Sequence, residues 1–141
     1  MRYAVHLEYS EEVYLVSCRD LPSLNSEGGS VEEALRESVD AMALVLQGYI
    51  DERQPVPMGS GRRNGEYWVS LPATDAAKVG LYQVMLGKGV SSSDLGVLLQ
   101  MEASQVEHLL TLTDQSAFEQ VEEVLAKLGY QICVSVEPSD C

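Results

Sequence analysis

One long amphipathic helix, set between short strand-like segments, restricts what the first half of this chain can fold into. Ser30-Val31-Glu32-Glu33 has the pattern of a capping box, in which the serine accepts from the Glu33 amide and the Glu33 carboxylate reaches back. Apolar residues then recur at helical spacing over about five turns, until Pro55 and Pro57 end the pattern. This stripe consists of Val31, Ala34, Leu35, Val39, Met42, Leu46, Tyr49 and Ile50. Because a helix buries such a stripe, the surrounding strands predict a sheet beneath it.

The segments on both sides of this helix have the composition of half-buried strands. Residues 3–8 alternate between apolar and polar, and residues 13–18 (VYLVSC) are β-branched and aromatic, so the two predict a hairpin around a polar turn. Residues 24–27 predict a short third strand, and residues 67–71 (YWVSL) predict a fourth. Residues 1–72 therefore predict a β-β-β-α-β domain with the helix on one face of a small sheet.

After Pro72 the pattern becomes helical. The spacing of apolar residues predicts four helices, over residues 73–86, 94–99, 103–112 and 117–128. Ser92 or Ser93 is expected to cap the second of these helices and Ser116 the fourth, and residues 130–136 (YQICVSV) predict a short closing strand. The fold class predicted is α+β, with a sheet domain over 1–72 and a helical domain over 73–141.

The chain is strongly acidic, with a formal net charge of −13 at pH 7 and a pI near 4.3. Residues 1–72 hold six cations and twelve acids, and residues 73–141 hold three cations and ten acids, so both halves contribute. A field of this sign disfavours general binding to nucleic acid and favours a basic protein partner. The alternative is that the acidity only keeps the protein soluble.

Residues 95–110, LGVLLQMEASQVEHLL, have the spacing of a helix–turn–helix, but no Lys or Arg occurs between Lys88 and Lys127. A DNA-binding unit of this kind ordinarily holds phosphates with cations, so this one is expected to hold DNA weakly. The polar side chains that remain for reading bases are Gln100, Ser104, Gln105, His108 and Thr111.

Val97 and Leu98 make the first helix of this pair apolar on nearly every side. We hypothesise that these two residues form an interface with another chain, most simply a second copy. The alternative is an ordinary monomeric core with a few exposed apolar residues.

The sequence offers little catalytic chemistry. His6 and His108 have no cysteine or carboxylate at ligand spacing, so no zinc site is expected. Nothing brings Glu8, Asp20 and Asp40 together as a metal cluster, and the strand residue Cys18 has no identifiable base. We predict no enzyme activity, no metal and no cofactor. Three cysteines, no secretory signal and no membrane span favour the cytoplasm.

The order of these elements and several short motifs resemble the HicB antitoxin family over nearly the whole chain. The motifs are Arg2-Tyr3-Ala4-Val5, Asp20-Leu21-Pro22, Glu27-Gly28-Gly29-Ser30, Glu33-Ala34-Leu35 and Val56-Pro57. The resemblance implies a partial ribonuclease H-like sheet domain without nuclease activity, followed by a helix–turn–helix domain of the Xre/Cro-like kind. It also implies that the protein covers the active face of a small basic HicA toxin, an RNA-cleaving enzyme, represses its own operator, and assembles as a homodimer or homotetramer.

Four acids near the predicted hairpin are candidates for contacting such a toxin: Glu8, Glu11, Glu12 and Asp20. Each of them is equally well explained as an ordinary solvated turn residue. Two other function classes stay open at this point. One is a DNA-binding transcriptional regulator without a toxin partner, and the other is a nuclease built on the sheet domain.

Overall fold

The first half of the chain forms a four-stranded antiparallel sheet covered by one helix. The computed structural model describes residues 1–112 and 118–138. The strands are β1 (Arg2–Ser10), β2 (Val13–Cys18), β3 (Ser26–Gly28) and β4 (Tyr67–Ser70), in the order β3-β2-β1-β4. Helix α1 (Val31–Asp51) lies between β3 and β4 in the chain. The predicted β-β-β-α-β order of residues 1–72 is confirmed.

Strand alternation separates a buried face of the sheet from an outer one. Tyr3 and Val5 on β1, with Val16 and Cys18 on β2, are buried in the core. Helix α1 contributes Ala34, Met42, Leu46 and Ile50 to the same core, all of them members of the predicted stripe. The opposite face carries exposed polar residues, among them His6, Glu8 and Glu27.

Helix α1 begins as its sequence predicts, with one difference in detail. The Ser30 hydroxyl accepts from the Glu33 amide at 3.1 Å, whereas the Glu33 carboxylate accepts from the Gly29 amide at 3.0 Å, one residue before the cap. Gly28 packs so closely on the helix that a Cβ atom there would collide with the backbone of Ala34. β3 and α1 therefore meet through backbone, which requires glycine at this position.

The second half is helical among its described residues, with α2 (Ala73–Lys88), α3 (Ser92–Leu99), α4 (Ala103–Leu110) and α5 (Phe118–Lys127). Helix α2 is longer than predicted because Gly89 adopts the left-handed conformation that ends it, with φ of 69°. Helix α3 starts at Ser92 because Ser91 forms a reciprocal capping box with Asp94, so the prediction of Ser92 or Ser93 as its cap is wrong. The predicted cap Ser116 lies outside the described residues.

Helix α4 ends at Leu110, two residues earlier than predicted, where contacts from two other helices replace its own hydrogen bonds. The buried Lys78 of α2 donates through Nζ to the carbonyl oxygens of His108 (3.2 Å) and Thr111 (2.7 Å). Gln47 of α1 donates to the Leu110 carbonyl at 3.2 Å. Its side-chain oxygen accepts from the Leu112 amide at 2.7 Å. The end of α4 is thus fixed by both halves of the chain.

The predicted closing strand over 130–136 is wrong, since these residues form no strand in the structure. This segment, called the tail below, instead runs beside α2 and the chain start, lining a cleft with Met1, Leu71, Phe118 and other residues. A strand requires a neighbouring strand for its backbone bonds, and no strand within the described part of the chain is paired with the tail.

Candidate partner-binding surfaces

The outer face of the sheet carries a row of acidic side chains around an exposed leucine. The register places Glu8 of β1 opposite Leu15 of β2, and Leu15 opposite Glu27 of β3. Leu15 is 41% exposed, and both carboxylates are exposed as well. Glu11 and Glu12 form the adjoining turn with positive φ values of 50° and 70°. We call these five residues the acidic hairpin surface.

Asp20, the fourth acid predicted to contact a toxin, lies elsewhere. It follows the end of β2, whereas Glu11 and Glu12 precede the start of that six-residue strand, so about 20 Å of strand separates them. Its carboxylate accepts from the Ser60 amide at 2.9 Å and from the Ser60 hydroxyl. The bond from the Ser60 amide has the larger effect and the bond from its hydroxyl the smaller, and together they hold the pKa of Asp20 below its ordinary value. The structure therefore groups three of the four predicted acids and adds Glu27, which sequence reasoning missed.

Asp20 belongs instead to a network that fixes the loop before β4. Arg19 donates to both carboxylate oxygens of Glu66, at 2.8 and 2.7 Å, and also to Ser60 and the Gly61 carbonyl. The hydrogen bonds from Arg19 have the largest effect and the bond from the Arg63 amide the next largest. They lower the pKa of Glu66 from 4.5 to about 2. The same Glu66 contact raises the pKa of the Arg19 guanidinium. The arrangement is that of a structural ion pair anchoring a loop to the end of the hairpin.

The polar residues predicted to read DNA are divided between two sides of α4. Ser104, Gln105 and His108 line one shallow cleft together with Met101 and Gln120. Thr111 lies in the cleft on the opposite side, which faces α1, and its hydroxyl donates to the Glu107 carbonyl at 2.8 Å.

Two of these residues also have local structural roles. The Gln105 side chain accepts from the Glu102 amide at 2.8 Å and so completes the cap of α4. Gln100 is exposed and adopts the left-handed conformation that ends α3, with φ of 54°. Of the five predicted residues, three are therefore placed together on one surface.

Val97 and Leu98, the predicted interface residues, are exposed in the single chain by 82% and 60%. Val97 lines a cleft of about 640 Å³ between α1 and the α3–α4 pair. The interface at these two residues stays a prediction.

The same cleft contains a cation that the sequence pattern of the helix pair lacks. Arg53, just after α1, lines the cleft with Ser92 and Ser93 at the start of α3. The Ser91 amide holds the pKa of Asp94 below its ordinary value, and the Arg53 guanidinium adds a smaller effect of the same sign. Sequence reasoning missed Arg53 because it lies about forty residues before α3. It places a positive charge near the start of a helix pair whose own residues include no Lys or Arg.

No metal-binding geometry occurs within residues 1–112 and 118–138, where no group of three His, Cys, Asp or Glu side chains is close enough to hold an ion. His6 is exposed on the sheet, opposite Ser17. Cys18 is buried and its thiol donates to the Ala4 carbonyl at 3.4 Å. In that same part of the chain, no helix has the length and hydrophobicity needed to span a membrane.

Comparison with known proteins gives consistent matches along the whole chain. A family model described as a HicB-like antitoxin of bacterial toxin–antitoxin systems matches residues 2–80. Antitoxin HicB of Pseudomonas fluorescens is 38% identical over 97% of this chain and 99% of its own length. Antitoxin HicB 2 of Photorhabdus laumondii is 31% identical over 92% and 91%, and antitoxin HicB of Escherichia coli K12 is 24% identical over 94% and 96%.

These matches extend beyond the sheet into the helical half, so the similarity covers both halves of the chain. HicB antitoxins are not enzymes, which agrees with the prediction made from the residues. The alignment at 38% identity and the family model together carry the assignment. This chain belongs to the HicB family of antitoxins of bacterial toxin–antitoxin systems.

Proposed function

We propose that this antitoxin inhibits a small basic HicA-type toxin, an RNA-cleaving enzyme, by covering its active face with the acidic hairpin surface. The observation that carries the proposal is the row Glu8–Leu15–Glu27, in which two carboxylates flank an exposed leucine. An enzyme that holds RNA presents cations to the phosphates. Carboxylates on the inhibitor would attract the same cations, and Leu15 would supply apolar area at the centre of the contact.

The sheet half is proposed to be a partial ribonuclease H-like fold that has no catalytic role of its own. Supporting this, Glu8 lies on the outer sheet face, Asp20 is bonded to Ser60, and Asp40 is exposed on α1, so the three acids do not form a metal-binding cluster. Its use would be steric and electrostatic, as a cover for the toxin in the bacterial cytoplasm.

A charge-reversal experiment tests the toxin-binding role. The double variant Glu8→Lys/Glu27→Lys changes the formal charge by +4 on the outer sheet face, and Glu122→Lys/Glu123→Lys makes the same change on the exposed side of α5. We expect the first to raise the Kd for the basic protein encoded beside this gene by at least about tenfold, and to restore RNA cleavage. The α5 variant should bind nearly as the parent does.

Two outcomes of this experiment contradict the proposal. Equal weakening by both variants would mean that only the overall charge matters. Full inhibition by the sheet variant would place the toxin contact on another surface. Circular dichroism is the control, and it must show that both variants are folded before either result is interpreted.

The helical half is proposed to bind the operon's operator weakly, as a helix–turn–helix of the Xre/Cro kind in a homodimer or homotetramer. Support comes from Ser104, Gln105 and His108 on one side of α4, with Gln100 at the turn and Thr111 beyond it as further candidates. Arg53 at the start of α3 would add one phosphate contact per copy. A regulator acting without a toxin is the alternative, and it predicts tight operator binding but no complex with the neighbouring gene's product.

A further inference from the structure

The outer face of the sheet carries a second feature, at the end of β1 that lies away from the acidic hairpin surface. Arg2 and Ala4 point to the same side of β1 as Glu8, since alternate residues of a strand share a face. Trp68 of β4 lies opposite Ala4 and so belongs to this face as well. The Arg2 guanidinium lies over the Trp68 ring, 4.0 Å from its centroid. We call these two residues the arginine–tryptophan stack.

The cation of this stack has an acidic partner that another carboxylate could replace. Arg2 donates through Nη1 to Glu137, directly after the tail, at 3.2 Å. The two side chains are 44% and 71% exposed, and an ion pair this exposed contributes little to stability. Within β1–β4, Arg2 is the only lysine or arginine. The outer face therefore has carboxylates at one end and a single strand cation at the other.

We propose that the arginine–tryptophan stack is a second anchor of the toxin contact, that it binds a carboxylate of the toxin, and that Glu137 occupies this place in the free antitoxin. The inference rests on the proposed function, since it extends the same contact along the same face. Six residues of β1 separate Arg2 from Glu8, which is about 20 Å. A standard interface covers about 800 Å² of each partner, roughly 30 Å across, so one toxin can contact both ends.

The chemistry of the stack suits a carboxylate at a protein interface. The planar guanidinium of arginine matches the two oxygens of a carboxylate, and contact with an aromatic ring holds it in one orientation. A side chain that is already ordered loses less freedom when the partner binds. Arginine and tryptophan are also the residue types that most often dominate interface energies. With acids at one end of the face and Arg2 at the other, the toxin can bind in one orientation only.

Removing the cation tests the second anchor. Arg2→Gln should raise the Kd for the basic protein encoded beside this gene about tenfold, because an oriented guanidinium is lost from the contact. The control Arg36→Gln removes an exposed cation from α1, the helix that covers the other face of the sheet. Both variants make the acidic chain more negative, and that change alone would lower the Kd for a basic partner. The sign of the effect therefore separates a contact from a general charge effect.

Removing the internal carboxylate tests the role of Glu137, with the opposite sign. Glu137→Gln frees Arg2 and should lower the Kd about two- to fivefold, the range that corresponds to an exposed ion pair. Glu119→Gln makes the same charge change at an exposed position of α5 and should leave the Kd unchanged or slightly higher. Titration calorimetry of the full-length variants at one salt concentration measures all four effects.

The stack also provides a spectroscopic measurement, because Trp68 is the only tryptophan of the sequence. Antitoxin labelled with fluorotryptophan gives one fluorine NMR signal, which unlabelled toxin does not obscure. The signal should shift in Glu137→Gln, where the ion pair to Arg2 is absent, and shift further when the toxin is added. A signal that stays unchanged on addition of the toxin would overturn the proposal.

The outcomes distinguish this inference from the proposed function. If Arg2→Gln behaves like Arg36→Gln, or Glu137→Gln like Glu119→Gln, the second anchor is wrong, even where Glu8→Lys/Glu27→Lys loses the toxin. If Arg2→Gln weakens binding while the lysine variant binds as the parent does, the Arg2 contact is supported and the acidic hairpin surface is not the toxin site.

Discussion

The two halves of this antitoxin present surfaces of opposite kinds. The acidic hairpin surface concentrates carboxylates around one half-exposed leucine, whereas the α3–α4 pair exposes Val97 and Leu98 with Arg53 as a nearby cation. Charged surfaces act on an oppositely charged partner at long range, and apolar ones act only at contact. In our proposal, the sheet half attracts a foreign basic protein, and the helical half brings together copies of the same acidic chain.

The largest expected effect tests whether the halves are separate at all. Lys78→Met removes a buried ammonium that donates to two carbonyl oxygens at the end of α4. Leaving those carbonyls unpaired should lower the free energy of unfolding by about 2–4 kcal/mol. The exposed Lys127→Met control should change it by less than about 0.5 kcal/mol.

Urea unfolding of Lys78→Met, followed by tryptophan fluorescence from Trp68 and by circular dichroism, checks this and the division near Pro72. One shared transition would mean that both halves unfold together through their common core. Separate transitions, with the helical half unfolding first, would support independent domains over 1–72 and 73–141. An unchanged stability would show that Lys78 is not needed at the end of α4.

A pair of leucine variants tests the assignment of one partner to each surface. Leu15→Glu should raise the Kd for the toxin about tenfold and leave the mass in solution unchanged, because it acts on the acidic hairpin surface. Leu98→Glu should reduce the mass in solution and leave toxin binding intact. Calorimetry and light scattering measure the two effects. If either variant alters both properties, the surfaces are not separate.

A smaller effect is expected from Arg53 on operator binding. Arg53→Ala should reduce the slope of log K against log salt concentration by about 0.9 per copy, since one phosphate contact is lost. Arg36→Ala, a cation near the other end of α1, is the matched control and should leave the slope unchanged. Fluorescence anisotropy with operator DNA at several salt concentrations provides the measurement. Equal slopes for the parent and both variants would remove Arg53 from the DNA contact.

The smallest effect concerns acid stability of the sheet half. The pKa of Glu66 is lowered from 4.5 to about 2, so its bond to Arg19 stabilises the fold fully above pH 4.5 and is lost as the pH falls toward 2. Glu66→Gln should therefore lower the Tm at pH 7 and narrow the difference between the Tm values at pH 7 and pH 3. The exposed Glu119→Gln should keep the parent's pH dependence. An unchanged pH dependence in Glu66→Gln would contradict the assignment.

The candidate surfaces were only partly predictable from the sequence. Glu8, Glu11 and Glu12 belong to one hairpin, so local pairing was enough to group them. Glu27 joins them through the pairing of β2 with β3, and Asp20 leaves them because Ser60 binds it from a loop forty residues away. Arg53 likewise comes from a distant part of the chain, and it lines a cleft beside the start of α3. These three errors involve residues distant in sequence.

What the sequence determined by itself is local: the hairpin, the capped helix with its apolar stripe, the helical second half and the acidic charge. These depend on periods of two and 3.6 residues and on capping groups a few positions apart. The tertiary structure alone decided that α4 ends at Leu110, that Glu27 borders Leu15, and that residues 130–136 form no strand within the chain. The reason is physical, because a helix satisfies its own backbone bonds, whereas a strand depends on a neighbour that its own sequence does not specify.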